Sequence, residues 1–209
     1  MRDQSKSMQR REKLKSALVS AAERMIEAHG LAGLRARALA LRAGCAVGAI
    51  YNVVTDLDDL VMVVNARTLQ ALERYLRETG AISDAPPAPD QVVARLTSMA
   101  LAYLDFAARN TMRWRAVFDH RLANGRELPA WYLEDQRRLF EYIEGPLKTL
   151  QPKAAPEARL LMARSLFSAV HGVVLLGLEE KLQRIPLPIL REQLTLVVGA
   201  LGRGLAAPR

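Results

Sequence analysis

The side chains able to do chemistry in this sequence are concentrated at its N-terminal end. Within residues 1–54, ten Lys and Arg stand against four Asp and Glu, so this quarter carries +6 of the chain's formal charge of +8. Such an excess is the electrostatic footprint of a candidate polyanion-binding surface. Arg35, Arg37 and, on the leading arm, Arg10 or Arg11 are candidate phosphate ligands, and each neutralised phosphate adds about one unit to the salt dependence of binding. A little further on, the run Ala46-Val47-Gly48-Ala49-Ile50-Tyr51-Asn52 sets small residues ahead of a tyrosine and an asparagine. Small side chains let a backbone come close to a base pair. Ala49 or Val47 could touch a thymine methyl, and Asn52 could pair with an adenine edge or a phosphate.

Beyond this region reactive groups are sparse. Cys45 is the sole cysteine, which excludes an internal disulfide, and no Cys/His cluster has the spacing of a zinc site. His29, His120 and His171 belong to no HExxH, GxSxG or phosphate-loop pattern, so neither a catalytic residue, a metal nor a cofactor is expected. Ser168 and His171 stand one helical turn apart without an oxyanion turn beside them, and read as helix packing. Met99, Tyr103, Phe106, Trp114, Phe118, Trp131 and Phe140 supply the bulky groups either of a pocket for a small apolar or amphipathic ligand or of a solid core. His171 is the polar candidate beside them, as a ligand contact or as a hydrogen-bonded core or interface histidine.

The elements that must carry these groups are helices. Apolar residues recur at helical spacing almost throughout, and no segment alternates with a period of two, so the fold class is all-α with about nine helices. They are expected near 8–29, 35–43, 47–53, 56–79, 90–109, 111–122, 130–150, 156–183 and 187–206. Gly44 between the second and third provides the tight reversal of a helix-turn-helix. In that motif the second helix enters the major groove with its first residues at the base edges, here Ala46, Val47, Gly48 and Ala49. Asp90 is expected to cap the helix after the Pro86–Pro89 loop. The domains read as residues 1–55, a three-helix DNA-binding domain, and 56–209, a larger helical domain, with the helix at 56–79 shared mechanically by both.

The helix beginning at residue 156 is apolar nearly all round and must be buried on more than one side. With the last helix it predicts a four-helix homodimer interface through Phe167, Val170, Val174, Leu194, Val198 and Leu201. Its most apolar stretch, Leu166 to Leu178, falls short of the ~20 residues of a membrane span, and no secretory signal opens the chain. A cytoplasmic location with no membrane partner is expected.

The segment from Gly30 to Val54 resembles the DNA-binding domain of the TetR family. The preceding amphipathic helix with Ala21-Ala22, the Ala43-Gly44 turn and the Gly48-Ala49-Ile50-Tyr51 core carry the likeness. The resemblance implies that Tyr51 contacts a backbone phosphate. It also exposes departures: Leu34-Arg35 replaces a capping threonine or serine, Ala46-Val47 a serine and lysine, Val54 an aromatic, and Leu57 a phosphate-binding lysine. Trp114, Phe118 and Val170-His171-Gly172 partly resemble the ligand-binding domain of the subgroup with a Trp-His-Gly signature. The implied function is a dimeric regulator, a repressor released from its duplex operator by a small molecule. The alternative is a dimeric ligand-binding or interaction protein whose helix-turn-helix no longer reads DNA.

Overall fold

The computed structural model describes residues 2–179 and 185–206, which form nine α-helices and no strand among the described residues. The helices are α1 (Arg2–His29), α2 (Ala36–Ala43), α3 (Val47–Tyr51), α4 (Leu57–Glu78), α5 (Val92–Arg109), α6 (Thr111–Asp119), α7 (Ala130–Leu150), α8 (Pro156–Leu178) and α9 (Leu187–Ala206). They group into two compact units. One comprises residues 1–70 and 110–133, the other 71–109 and 134–209, so α4 is divided between them at Gln70.

In the first unit the apolar stripe of α1 is the centre of the core. Leu18, Ala21, Ala22, Met25 and Ile26 are buried with Leu39 and Ala40 of α2, Ile50 of α3, Leu60, Val61 and Val64 of α4 and Ala116 of α6. The alanines leave room for neighbouring helices to come close. α1 starts at Arg2 rather than near residue 8, because residues 2–7 carry no apolar stripe to announce a helix and no glycine or proline to stop one. The short turn after it is as tight as a turn can be at Gly33, where a Cβ would lie 2.4 Å from that of His29.

Polar contacts fasten the same unit. Arg113 of α6 and Arg67 of α4 converge on Glu23 of α1, at 2.8 and 3.2 Å. Asn65, 1% exposed, donates through Nδ2 to the carbonyl of Ala116 at 3.1 Å. α6 ends at Asp119 rather than near 122 for a physical reason. The His120 ring and the Ala123 N–H both turn to the Asp58 carboxylate, each at 3.1 Å, and the segment gives up helical bonds to reach it.

In the second unit α9 packs against α5 and α8. The approach of α8 to α9 depends on Gly177, where a Cβ would lie 2.5 Å from Leu190 Cδ1. Residues 180–183, expected to continue α8, lie outside the described residues, and α8 is described to Leu178. Asp90, expected as a helix cap, lies inside the short 3-10 turn Pro89–Gln91 that leads into α5.

Two expectations for α8 and α9 change. Val170, Val174, Leu194 and Val198 are at most 6% exposed within the chain's own core, and a side chain already covered has no surface to offer a partner. Leu201 alone of the six expected interface residues is among the exposed large apolar groups, while Phe167 belongs to an aromatic cluster described below. Second, α8 as a whole is 23 residues and, by length and composition, apolar enough to cross a membrane, although its most apolar stretch is shorter. Its inner face packs on α9 and α5 as the core helix of a folded unit does.

Candidate nucleic-acid interface and effector site

α2 and α3 are joined by a turn built on Gly44. At φ 68° it occupies the left-handed region that side chains avoid. The Cys45 N–H donates to the Ala40 carbonyl at 3.0 Å and the Gly44 N–H to Leu41 at 3.3 Å. This paired 6→1 and 5→2 pattern closes a helix and reverses the chain within two residues. Ala46 then opens α3 in an extended conformation with no side-chain cap, since a methyl group cannot accept a hydrogen bond.

α3 is five residues long and anchored by one of them. Ile50 is fully buried in the first unit's core, as its packing role predicts. Around it Val47, Gly48, Tyr51 and Asn52 are exposed, Tyr51 to 51%, as is Ala46, and Ala49 is half-buried. The N–H groups of Val53 and Val54 both return to the Ile50 carbonyl, which ends the helix at Tyr51, short of the expected 53. Arg35 and Arg37, at and just inside the start of α2, are exposed, and so is Arg10 on α1. The expected DNA-contacting residues of α2 and α3 therefore share one solvent-exposed segment, residues 35–52. Arg42 and Leu41, the latter 84% exposed, stand on α2 beside them. Neither is singled out by the sequence, because α2 is too short for its periodicity to separate an inward from an outward face.

At the start of α4, carboxylates hold the segment that follows α6. Arg126 pairs with Asp59 at 2.9 Å and also with Asp56. Burial pushes the Asp58 and Asp59 carboxyls up, but hydrogen bonds outweigh it and both end below the ordinary carboxylate value. For Asp58 these come from the Ala123 N–H and His120, with the charges of His120 and Arg126 adding to them. For Asp59 they come from Arg126 and Thr55.

The expected ligand-pocket residues separate into two groups. Tyr103, Phe140 and His171 meet in the second unit around Phe167. Tyr103 Oη lies 2.8 Å from His171 Nδ1, Phe167 stacks on the imidazole with centroids 5.6 Å apart, and Tyr103 and Phe140 meet Phe167 edge-on. Met99 and Phe106 are buried on α5 in the same unit, Phe106 against Tyr75. Trp114, Phe118 and Trp131 belong to the first unit. There Trp114 is buried and packs edge-on against Phe118, and Trp131 is exposed beside Tyr132. Phe167, assigned by the sequence to the dimer face, is the hub of the first group. A helix apolar all round gives no sign of which side its aromatic faces. The Tyr103 hydroxyl and the His171 imidazole, bonded to each other, are the polar pair at the centre of these aromatic rings.

Residues 96–201, just over half of the chain, match the family described as "Tetracyclin repressor-like, C-terminal domain". The chain belongs to the TetR family. Its C-terminal part is thus the ligand-binding domain of a TetR-type transcriptional regulator, in a family of regulators rather than of enzymes. No curated protein sequence matches the chain. Among solved structures the TetR fold recurs at low identity. A protein with unknown function from Rhodococcus sp. RHA1 is similar at TM-score 0.67 and 24% identity, over 93% of this chain and 96% of that one. The multidrug binding protein EbrR, complexed with imidazole, is similar at TM-score 0.61 and 21% identity, over 90% and 93%. A TetR variant from Acinetobacter baumannii AYE, in complex with minocycline, is similar at TM-score 0.62 and 16% identity, over 90% and 94%.

Proposed function

We propose that this TetR-family chain is a homodimeric repressor that binds a duplex operator through α2 and α3 and releases it when a small apolar or amphipathic molecule occupies the aromatic cluster of the second unit. The observation that carries the reading is the exposed face of α3. Val47, Gly48, Tyr51 and Asn52 surround a fully buried Ile50, so the helix is fixed by its back and free at its front. Ala46, Val47, Gly48 and Ala49 approach base edges, and Asn52 pairs with a base or a phosphate. Arg10, Arg35, Arg37 and Tyr51 hold the phosphate backbone, joined by Arg42. Residues 1–55 act as the DNA-binding domain and the remainder as the ligand-binding and dimerisation domain.

The second copy docks on α8 and α9. Leu161, Ser165, Ser168 and Leu176 form an exposed stripe on α8, and Ile189, Leu196, Ala200 and Gly204 form another on α9. Small residues between leucines let helices approach closely, and paired helices from two copies make a four-helix interface. A dimer also supplies two α3 helices for half-sites about 34 Å apart. Two similar folds hold small molecules, imidazole and minocycline, which supports a ligand in the second unit. Tyr103, Phe140, Phe167 and His171 are its first contacts, with Met99 and Phe106 behind them. A coupling of ~1–3 kcal/mol between ligand and DNA is enough to change operator affinity 5- to 150-fold.

A second reading is favoured by one observation: the start of α3 lacks a side-chain cap and offers methyl groups where polar contacts would fix register. On that reading the dimer binds its ligand but no defined operator. Selection of bound duplexes from a random pool at two salt concentrations separates the two. The repressor reading expects a palindrome with half-sites about one helical turn apart. Salt-dependent binding without an enriched sequence supports the second reading.

A further inference from the structure

α5 and α9 run antiparallel. Gly202 lies against Val93, where a Cβ would come within 3.0 Å of the valine, and at the other end Arg191 is ion-paired with Asp105. The twelve residue-to-residue steps from Val93 to Asp105 span about 18 Å of helix. Along this length the two helices border an open groove of about 640 Å³. No member of the Tyr103, Phe140, Phe167 and His171 cluster lines it.

Its chemistry is charged at both ends, with hydroxyls and an apolar stretch between them. The α9 side is a row at four-residue spacing, Arg191, Thr195, Gly199 and Arg203. A Cβ at Gly199 would lie 3.2 Å from Arg203 Nη1, so the bare glycine lets the guanidinium fold back along α9 into the groove. Arg191 is balanced by Asp105, whereas Arg203 has no acidic partner among the described residues. The groove therefore has one uncompensated cation, at its Val93 end. One turn further along α5 are the hydroxyls of Thr97 and Ser98, level with Gly199 on the facing helix. Thr97 and Thr195 donate their own protons to the carbonyls of Val93 and Arg191, at 2.8 and 2.9 Å. Their oxygens are thereby turned into acceptors for a ligand hydroxyl. Beyond them Leu101 and Ala102 give an apolar wall, faced by Thr195 and followed by the Arg191–Asp105 pair.

We infer that this groove is a second small-molecule site, for an elongated hydroxylated carboxylic acid. Its carboxylate pairs with Arg203, a hydroxyl near the carboxyl end bonds Thr97, and its hydrocarbon tail lies along Leu101 and Ala102. Arginine offers a carboxylate two parallel donors, which fixes the acid end of the ligand. A volume of this size holds a medium-chain acid without enclosing it. The site does not depend on DNA binding by α3.

The test is calorimetric titration of the full chain with 3-hydroxyoctanoate, its methyl ester and octanoate, with Arg203→Gln and Thr97→Val in parallel. Saturable binding of 3-hydroxyoctanoate is expected. It should weaken about tenfold or more for the ester and for Arg203→Gln, and severalfold for octanoate and for Thr97→Val, as charged and neutral hydrogen bonds are lost. Unchanged melting temperatures show that the variants fold. No saturable binding, or equal affinity for acid and ester, overturns the assignment. So does an affinity that Arg203→Gln leaves alone. Because no DNA is present, none of these outcomes bears on the operator-binding reading.

Discussion

In the first unit the polar contacts bridge helices that are distant in sequence: Glu23 with Arg67 and Arg113, Asn65 with the Ala116 carbonyl, Asp58 with His120. Each fixes one helix against another at a chosen register. In the second unit the contacts that bring α8 and α9 together are apolar, with Gly177 against Leu190 at the closest point. The remaining apolar groups of those helices, Leu161, Leu176, Ile189 and Leu196, line up on their outer faces. Directional bonds also join helices of the second unit, Arg191 with Asp105 and Tyr103 with His171, so what sets that unit apart is the apolar surface left on α8 and α9. Non-directional apolar surface suits a body that gains a partner, because association is driven by area removed from water.

The comparison breaks most visibly at the apolar stripes. Leu161→Glu with Leu196→Glu should convert the dimer to a monomer by light scattering, and operator affinity should fall by about two orders of magnitude or more as the second half-site is lost. A dimer that survives both charges would remove this face from consideration. On α3, Asn52→Ala should shift the selected sequence, whereas Arg35→Ala should weaken all sequences alike, by about tenfold, and lower the salt slope by about one. Equal effects of the two would collapse the distinction between reading and holding.

In the core of the first unit, Asn65→Ala should lower stability by about 1–3 kcal/mol in urea titration, since it strips a buried hydrogen bond from the Ala116 carbonyl. An unchanged midpoint would show that the bond contributes nothing net. The smallest effect concerns acid. Asp58 and Asp59 have lowered folded-state values, so their contribution is present above the ordinary value of 3.8 and is lost as pH falls through the lowered ones. Replacing both with Asn should flatten the loss of stability between about pH 5 and pH 2 relative to the unaltered chain. A curve of the same steepness would place the acid sensitivity elsewhere.

Much of this was legible in the residues. The stripe Leu18, Ala21, Met25, Ile26 announced the core of the first unit, Gly44 announced the turn, and α7 and α9 fall where proline and glycine punctuation put them. What periodicity could not supply was partnership. It placed Trp114 and Phe118 with the later aromatics, although α6 is grouped with the DNA-binding end, because the bonds that recruit it come from Glu23 and Asn65, far away in sequence. It also could not orient α8. When apolar residues occupy every side of a helix, the pattern says that the helix is covered but not by what, and Val170 and Val174 went to the core while Leu161 and Leu176 stayed outside.

On the operator-binding reading proposed above, the brevity of α3 limits how much it can say about an address on a chromosome. Five residues rise about 7.5 Å, or roughly two base-pair steps of 3.4 Å. Reading two or three base pairs picks out about one sequence in 16 to 64, against the ~10⁶ or more competing sites a genome offers. Most of the discriminating information must then be stored outside the helix, in the fixed distance between two copies and in how readily the intervening duplex bends. An operator for this protein should tolerate changes within its half-sites better than the insertion of a single base pair between them.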